Sequence, residues 1–170
     1  MSIYSMLDRP ETHQGVLSTG LLIGLAGGLA EILVVFLYSA FTGGDAAMVA
    51  RHVASAVGLD GASAATGVAV HIGLAVALGI VLSAAIQTLA VLLVRDLAIW
   101  AFMMGSLGVV WAINYFVILP VISPGFVHLL PYAITLASKL AFGVAAAAAS
   151  QLLSASRHIP PISVKSGAAA

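Results

Sequence analysis

The sequence predicts an all-helical integral membrane protein with four transmembrane helices, and two observations predict it. Hydrophobic residues make up 62% of the 170 residues and charged residues only 7%, whereas about a quarter of the residues of an ordinary soluble domain are charged. The mean hydropathy is +1.16. Four apolar runs are each long enough to cross the roughly 30 Å hydrocarbon core, which takes about 20 helical residues. The runs cover residues 16–41, 67–94, 97–122 and 126–153.

The composition also excludes several classes of function. Six basic and six acidic residues balance, and no Lys/Arg cluster occurs, so nothing indicates a nucleic-acid partner. Because the chain has no cysteine, disulfides, thiolate metal sites and iron–sulfur clusters are excluded as internal chemistry. The sequence contains no nucleophile beside a His and a carboxylate, no HExxH and no phosphate-binding glycine loop. We therefore expect a protein that is not an enzyme.

The distribution of basic residues predicts the orientation in the membrane. The first run is too long for a cleaved signal peptide and contains Glu31, so we expect an uncleaved anchor. Four basic residues fall on one side of the membrane and one on the other: Arg9, Arg95, Arg157 and Lys165 against Arg51. This bias predicts an inner (plasma) membrane protein with both termini in the cytoplasm. Residues 1–15 would form a cytoplasmic arm, 16–154 the transmembrane domain and 155–170 a disordered tail.

Small residues on one face of the first run predict close helix packing. Four glycines recur on that face: Gly20, Gly24, Gly27 and Gly28. In lipid, such residues let helix backbones approach closely. Glu31 follows Gly27 by four positions and Gly24 by seven, so it points at another helix, and Tyr38 continues the same face. The glycines are also a candidate surface for a homo-oligomer or a larger membrane complex.

The connection after the first run predicts a short helix of its own. Asp45 is a typical N-cap residue, and Gly58 is a typical C-terminal stop. Apolar residues follow one side of the intervening segment, whereas Arg51 and Ser55 follow the other. This pattern predicts an amphipathic helix that lies at the outer membrane interface.

The later runs carry small and polar stripes at helical spacing. In the second run the stripe has steps of four: His71, Ala75, Gly79, Ser83 and Gln87. In the third run Trp111 and Asn114 share a face, since they are three residues apart. In the fourth run the stripe consists of His128, Tyr132, Thr135, Lys139, Ala146 and Ser150. Because the connections between runs two, three and four are short, we expect an up-down-up-down bundle with these faces inward.

Lys139 and Glu31 are the charges that most need a partner. An ammonium deep in a span costs about 2.5–3.5 kcal/mol on insertion scales. At 1.5 Å per residue the two side chains lie within about 5 Å of each other in depth, so they can pair. Around them we predict a polar funnel that opens outward, with Glu31 and Lys139 at its floor. Its outer mouth would consist of His71, which is four residues from the start of the second run, together with Asn114 and His128. These seven residues are the predicted ligand or ion pathway: Glu31, Tyr38, His71, Asn114, His128, Tyr132 and Lys139.

Three hypotheses for function follow from this pattern. The first is a small membrane protein that binds or passes a small solute, ion or proton through this site. The second is a non-catalytic accessory subunit of a larger respiratory or photosynthetic complex, in which the charge pair only fixes helix register. The third is a haem b, or a copper or zinc ion, held between His71 and His128, which are expected at similar depth on diagonally opposed helices.

Overall fold

The computed structural model describes residues 10–89 and 96–157, and these ranges are all-helical. Four helices are long and apolar enough to span a membrane, as the sequence predicts. The elements are α1 (Pro10–Thr42), α2 (Ala46–Ala56), α3 (Ala64–Thr88), α4 (Asp96–Ile113), a π-helical segment (Asn114–Ile118), α5 (Leu119–Ile122), a 3-10 turn (Phe126–His128) and α6 (Tyr132–Arg157).

The ends of the helices differ from the predicted ends. α1 begins at Pro10, inside the predicted arm, because proline suits a first helical turn whose N–H groups have no partner anyway. α6 continues to Arg157, two residues beyond the start of the predicted tail. The remainder of the arm and tail, together with the predicted end of the second run at 90–94, lies outside the described residues.

The fourth spanning helix begins at Tyr132, not at Phe126 as predicted. Pro131 is the physical reason, because its ring disfavours a helical conformation in the residue before it. The Pro131 carbonyl accepts from the N–H groups of Ile134 at 2.9 Å and Thr135 at 3.2 Å, which starts the helix. His128 therefore lies in the 3-10 turn that precedes α6, and the predicted stripe of this helix loses its first member.

The short helix predicted after the first run is present as α2. The Asp45 carboxylate accepts from the Met48 N–H at 3.0 Å and thus caps the helix. The same carboxylate pairs with Arg51, with 3.1 Å between Oδ2 and Nη2. Gly58 follows the helix with φ +84°, a conformation that glycine adopts without strain. α2 lies against the start of α3, where a Cβ at Gly67 would overlap the Ala50 carbonyl.

α1 packs closely against α3 because glycines face each other across the interface. A Cβ at Gly79 would lie against the backbone of Gly20 and Gly24, and a Cβ at Gly20 would lie 2.5 Å from the Ile80 Cα. No larger residue fits at these positions without a shift of the helix axes. The predicted glycine face thus brings α1 and α3 into backbone contact, as lipid-embedded helices require for tight association.

The remaining two glycines of this face are also buried inside the chain. Gly28 lies against the Ala75 side chain of α3, and Gly27 lies against the Phe142 ring of α6. The four glycines that are a candidate surface for a second copy or a larger complex therefore contact α3 and α6 of the same chain. Association through another surface stays a prediction.

The helices form a bundle with one open side. α1 packs against α3 and α6, and α6 packs against α4, but no comparable packing joins α3 to α4 within the described residues. Near the connection between α3 and α4, Leu82 and Met103 meet in the core with Phe142. Toward the other end, the two helices diverge. A short connection constrains only the ends it joins, so α3 and α4 follow each other in the chain without packing together along their whole length.

Candidate functional site

Three ionisable side chains from three helices meet inside the bundle. The Lys139 Nζ lies 2.7 Å from Glu31 Oε1, and His71 Nε2 lies 3.5 Å from Glu31 Oε2. The Glu31 side chain is only 5% exposed, so the carboxylate depends on these two neighbours. The predicted pairing of Glu31 with Lys139 is present. We call Glu31, His71 and Lys139 the ionisable cluster.

His71 belongs to this cluster instead of lying at a separate outer mouth. The prediction counted its depth from residue 67, whereas α3 begins three residues earlier, at Ala64. Each residue adds 1.5 Å along a helix, so the earlier start places His71 about 5 Å deeper than predicted. The predicted separation of mouth and floor is therefore wrong for His71.

Phe142 provides a second stabilising contact for the buried ammonium. Its ring centroid lies 5.7 Å from the Lys139 Nζ, within the distance at which a cation interacts favourably with an aromatic face. The ring is completely buried and rests on Gly27 of α1. The Lys139 ammonium therefore has two stabilising neighbours, the Glu31 carboxylate and the Phe142 ring.

The ionisable cluster lines a cavity of about 800 Å³ at the open side of the bundle. We call it the large cavity. α1, α2, α3, the second half of α4 with its π segment, and the start of α6 surround it, and most of its lining residues are Ala, Val, Ile or Leu. Ligand sites commonly measure about 300–1,000 Å³ and combine apolar walls with a few polar groups. The polar and aromatic side chains that can form hydrogen bonds here are Glu31, His71, Trp111, Asn114, Tyr115, Thr135, Ser138 and Lys139.

One wall of the large cavity is held by a hydrogen bond between α4 and α6 and by two further bonds within α6. The Trp111 indole N–H donates to the Thr135 hydroxyl at 3.0 Å, and that hydroxyl donates to the Tyr132 carbonyl at 2.9 Å. The Trp111 ring stacks on Tyr115, with 5.9 Å between centroids. Ser138 donates to the Thr135 carbonyl at 2.9 Å. These contacts fix the orientation of the aromatic side chains along the cavity.

Two buried polar atoms of residues that line the large cavity lack a hydrogen bond. Among the described residues, His71 Nε2 and the Tyr115 hydroxyl are the buried side-chain atoms without one. Tyr115 is only 5% exposed. The neighbouring Thr135 hydroxyl is already engaged by Trp111 and by a carbonyl, and it does not provide a bond of good geometry. Since buried polar groups in proteins are nearly always hydrogen-bonded, these atoms indicate capacity for a ligand or water.

Asn114 lies on the cavity wall, at the first residue of the π-helical segment. Pro120 explains this segment, because it has no N–H and its ring would clash with the carbonyl four residues earlier in a regular α-helix. The Leu119 N–H bonds instead to the Asn114 carbonyl, five residues back. Single π turns of this kind are frequent at functional sites.

Three of the predicted pathway residues lie outside the large cavity. His128 is exposed in the 3-10 turn, and neither it nor Tyr38 lines the cavity. Tyr132 is 50% exposed and contacts the rings of Tyr115 and Phe116, at 5.5 and 5.7 Å between centroids. All three were assigned from a helical periodicity that ignores where a helix starts or which neighbour covers it.

The two histidines of the predicted haem or metal site lie in different surroundings. His71 contacts Glu31 inside the bundle, whereas His128 is exposed before the start of α6. The described part of the chain also contains no group of three or more His, Cys, Asp or Glu residues placed to hold a metal ion. Pro131 is again the cause, because α6 does not extend back beyond it and His128 therefore lies outside the register of that helix.

Sequence reasoning missed three residues of this site, although a signal existed for each. Tyr115 follows Trp111 by four positions and so shares its face. Thr135 is part of the predicted stripe but was not assigned to the pathway, and Ser138 follows it by three residues. The missing information was which helix each face meets, and periodicity alone does not contain it.

A second, smaller cavity of about 100 Å³ lies near the other end of the bundle. Its polar lining comes from α1, α3 and α6 and consists of Thr19, Ser83, Gln87 and Ser150. The Gln87 amide donates to the Ser83 hydroxyl at 3.3 Å. Ile23, which lines this smaller cavity, and Ala75, which lines the large one, belong to the same buried core as Phe142.

Comparisons with family models, curated proteins and solved structures give no match. The function must therefore be argued from the site. The ionisable cluster can accept and donate hydrogen bonds and contains groups that can exchange protons. The surrounding walls can hold apolar surface.

Proposed function

We propose that this is a small inner-membrane protein that binds a small solute at the ionisable cluster and passes it into or across the membrane. The observation that supports this proposal is the meeting of Glu31, His71 and Lys139 at the wall of an 800 Å³ cavity. A charge pair that only fixed helix register would need neither a third ionisable group nor adjacent space. Ionisable residues within a membrane commonly mark a pathway.

The proposal includes an orientation, with both termini in the cytoplasm and α2 on the outer surface above the large cavity. The excess of basic residues on the side of the termini supports it. Because the chain has no cysteine, single cysteines report on each side without background. We expect Leu59→Cys to react with a membrane-impermeant maleimide on intact cells, and Ser166→Cys to react only after permeabilisation. The reverse pattern would invert the assignment.

The test of function uses the purified protein in detergent and in vesicles. A panel of amino acids, amines, carboxylates, sugars and alcohols is screened for an increase in melting temperature, and proton flux is followed with a trapped pH dye. We expect at least one of these responses in the wild type and its loss in the Glu31→Gln/Lys139→Met double variant, which removes both charges together. The matched control is Asp45→Asn/Arg51→Met, which removes an exposed ion pair outside the cavity.

The outcome that contradicts the proposal is equally specific. If the wild type gives no response, or if the cluster variant and the surface variant respond alike, the cluster is not a binding site. Copurification of a large stable partner in that case would favour the accessory-subunit hypothesis.

A further inference from the structure

The large cavity opens sideways, toward the region where lipid chains surround the protein. Several of its lining side chains have large exposed fractions, so the cavity is open along them. On α3 these are Val68 and Leu74, at 40% and 54% exposure, and at the end of the third span they are Ile118 and Ile122, at 40% and 52%. Since both helices have membrane length and do not pack together here, the gap between them faces the bilayer.

The lining of the large cavity is suited to an apolar molecule. Val49 and Val53 of α2, Leu78 of α3 and Val110 of α4 contribute hydrocarbon surface. A strongly hydrated solute would gain nothing from such walls, whereas a molecule with an alkyl or isoprenoid body would bury its own apolar area against them. Access from the bilayer would also spare such a molecule the passage through water.

The polar end of the cavity is suited to a head group without net charge. The Glu31 carboxylate and the Lys139 ammonium are in contact and cancel each other. An added carboxylate or ammonium would leave one buried charge uncompensated, which is strongly unfavourable. The unfilled hydrogen-bonding atoms are His71 Nε2 and the Tyr115 hydroxyl. A ligand hydroxyl can donate to or accept from either of these atoms, and a ligand carbonyl oxygen can accept from either when that atom carries a proton.

We propose that the solute is a neutral, lipid-like molecule with a hydroxyl or carbonyl head group, which enters the large cavity from the bilayer between α3 and α4. This inference rests on the proposed function and specifies its ligand class. The apolar body lies between the two helices, and the head group bonds to Tyr115 and His71 beside the ionisable cluster.

Photoaffinity labelling in reconstituted vesicles tests the ligand class. Four probes share one alkyl chain with a diazirine and an alkyne tag, and differ only in a primary alcohol, methyl ketone, carboxylate or trimethylammonium head. We expect the alcohol and the ketone to label peptides containing Leu74 and Ile118, saturably and in competition with unlabelled long-chain alcohol. Equal and unsaturable labelling by all four probes would show only surrounding lipid and would overturn the inference.

Two matched pairs of variants locate the head group and the opening. Tyr115→Phe should weaken competition by the alcohol about fivefold, the effect of one lost hydrogen bond, whereas Tyr132→Phe, outside the cavity, should not change it.

Leu74→Trp should obstruct the gap between α3 and α4 and reduce labelling. Val81→Trp, seven residues further on the same exposed face of α3 but outside the cavity lining, should leave it unchanged. Thermal melting confirms that each variant is folded. Equal effects within either pair would contradict the inference.

The two proposals fail in different ways. A water-soluble solute that stabilises the wild type through Glu31 and Lys139, without specific lipid-probe labelling, would overturn the ligand class and retain the proposed function. Absence of both responses would reject both proposals.

Discussion

The ion pair between Glu31 and Lys139 allows a quantitative prediction. Two unit charges 2.7 Å apart attract each other by about 6 kcal/mol at an effective dielectric constant near 20. Removal of one partner leaves the other charge buried, and such changes typically cost ~3–5 kcal/mol. Because His71 and Phe142 remain beside the cluster, we expect the lower end, about 3 kcal/mol, for Glu31→Gln and for Lys139→Met. The double variant should restore most of this loss, with about 1 kcal/mol remaining.

Reversible unfolding in mixed detergent micelles measures these differences. The helical circular dichroism signal is followed against the mole fraction of SDS for the wild type, the two single variants and the double variant. With these losses the coupling free energy from the cycle should be about 5 kcal/mol. Asp45→Asn and Arg51→Met provide a matched cycle at an exposed ion pair. In that cycle we expect no resolvable coupling, because solvent screens the charges.

Additive losses would refute the reasoning. If Glu31→Gln and Lys139→Met each destabilise the protein and the double variant loses their full sum, the two side chains do not interact in the folded state. If the surface cycle shows coupling as large as the buried one, burial is not the source of the effect.

Three further predictions concern packing, the cavity wall and pH. Gly79→Ala should lower the free energy of unfolding by about 1–3 kcal/mol, because the added Cβ meets the α1 backbone. The control Gly73→Ala, where the added Cβ has no atom within 4 Å, should raise the free energy of unfolding by about 0.5–1 kcal/mol. Equal changes for both variants in the same SDS titration would contradict the packing of α1 on α3. Trp111→Phe should cost about 1 kcal/mol through the lost indole hydrogen bond to α6, and an unchanged SDS midpoint would show that this bond contributes nothing. The Met48 N–H lowers the pKa of Asp45 from 3.8, so the cap stabilises α2 above that pH and is lost as pH falls through the lowered pKa. The protection factors of the α2 amides, which correct for the intrinsic pH dependence of hydrogen exchange, should therefore fall in acid, and Asp45→Asn, which cannot titrate, should abolish that fall.

Much of the site was predictable because the membrane restricts the solutions. A carboxylate and an ammonium at similar depth in two apolar helices have few alternatives to pairing, and the helical rise gives the depth of each from its position in the sequence. The cap at Asp45 and the stop at Gly58 were predictable for a different reason. Both depend on backbone groups within a few residues, so the local sequence contains the whole cause.

By itself, the sequence determined that the chain has four membrane-length helices, a short capped helix between the first two, a glycine face on α1 and a buried charge pair. Only the tertiary structure decided that His71 joins this pair while His128 does not. It also decided that α3 and α6 cover the glycines of α1, and that α3 and α4 separate around a cavity. The reason is the range of the forces involved. Hydropathy, capping and helical rise act within one segment, whereas the neighbour of each face depends on how side chains from distant segments fit together in space.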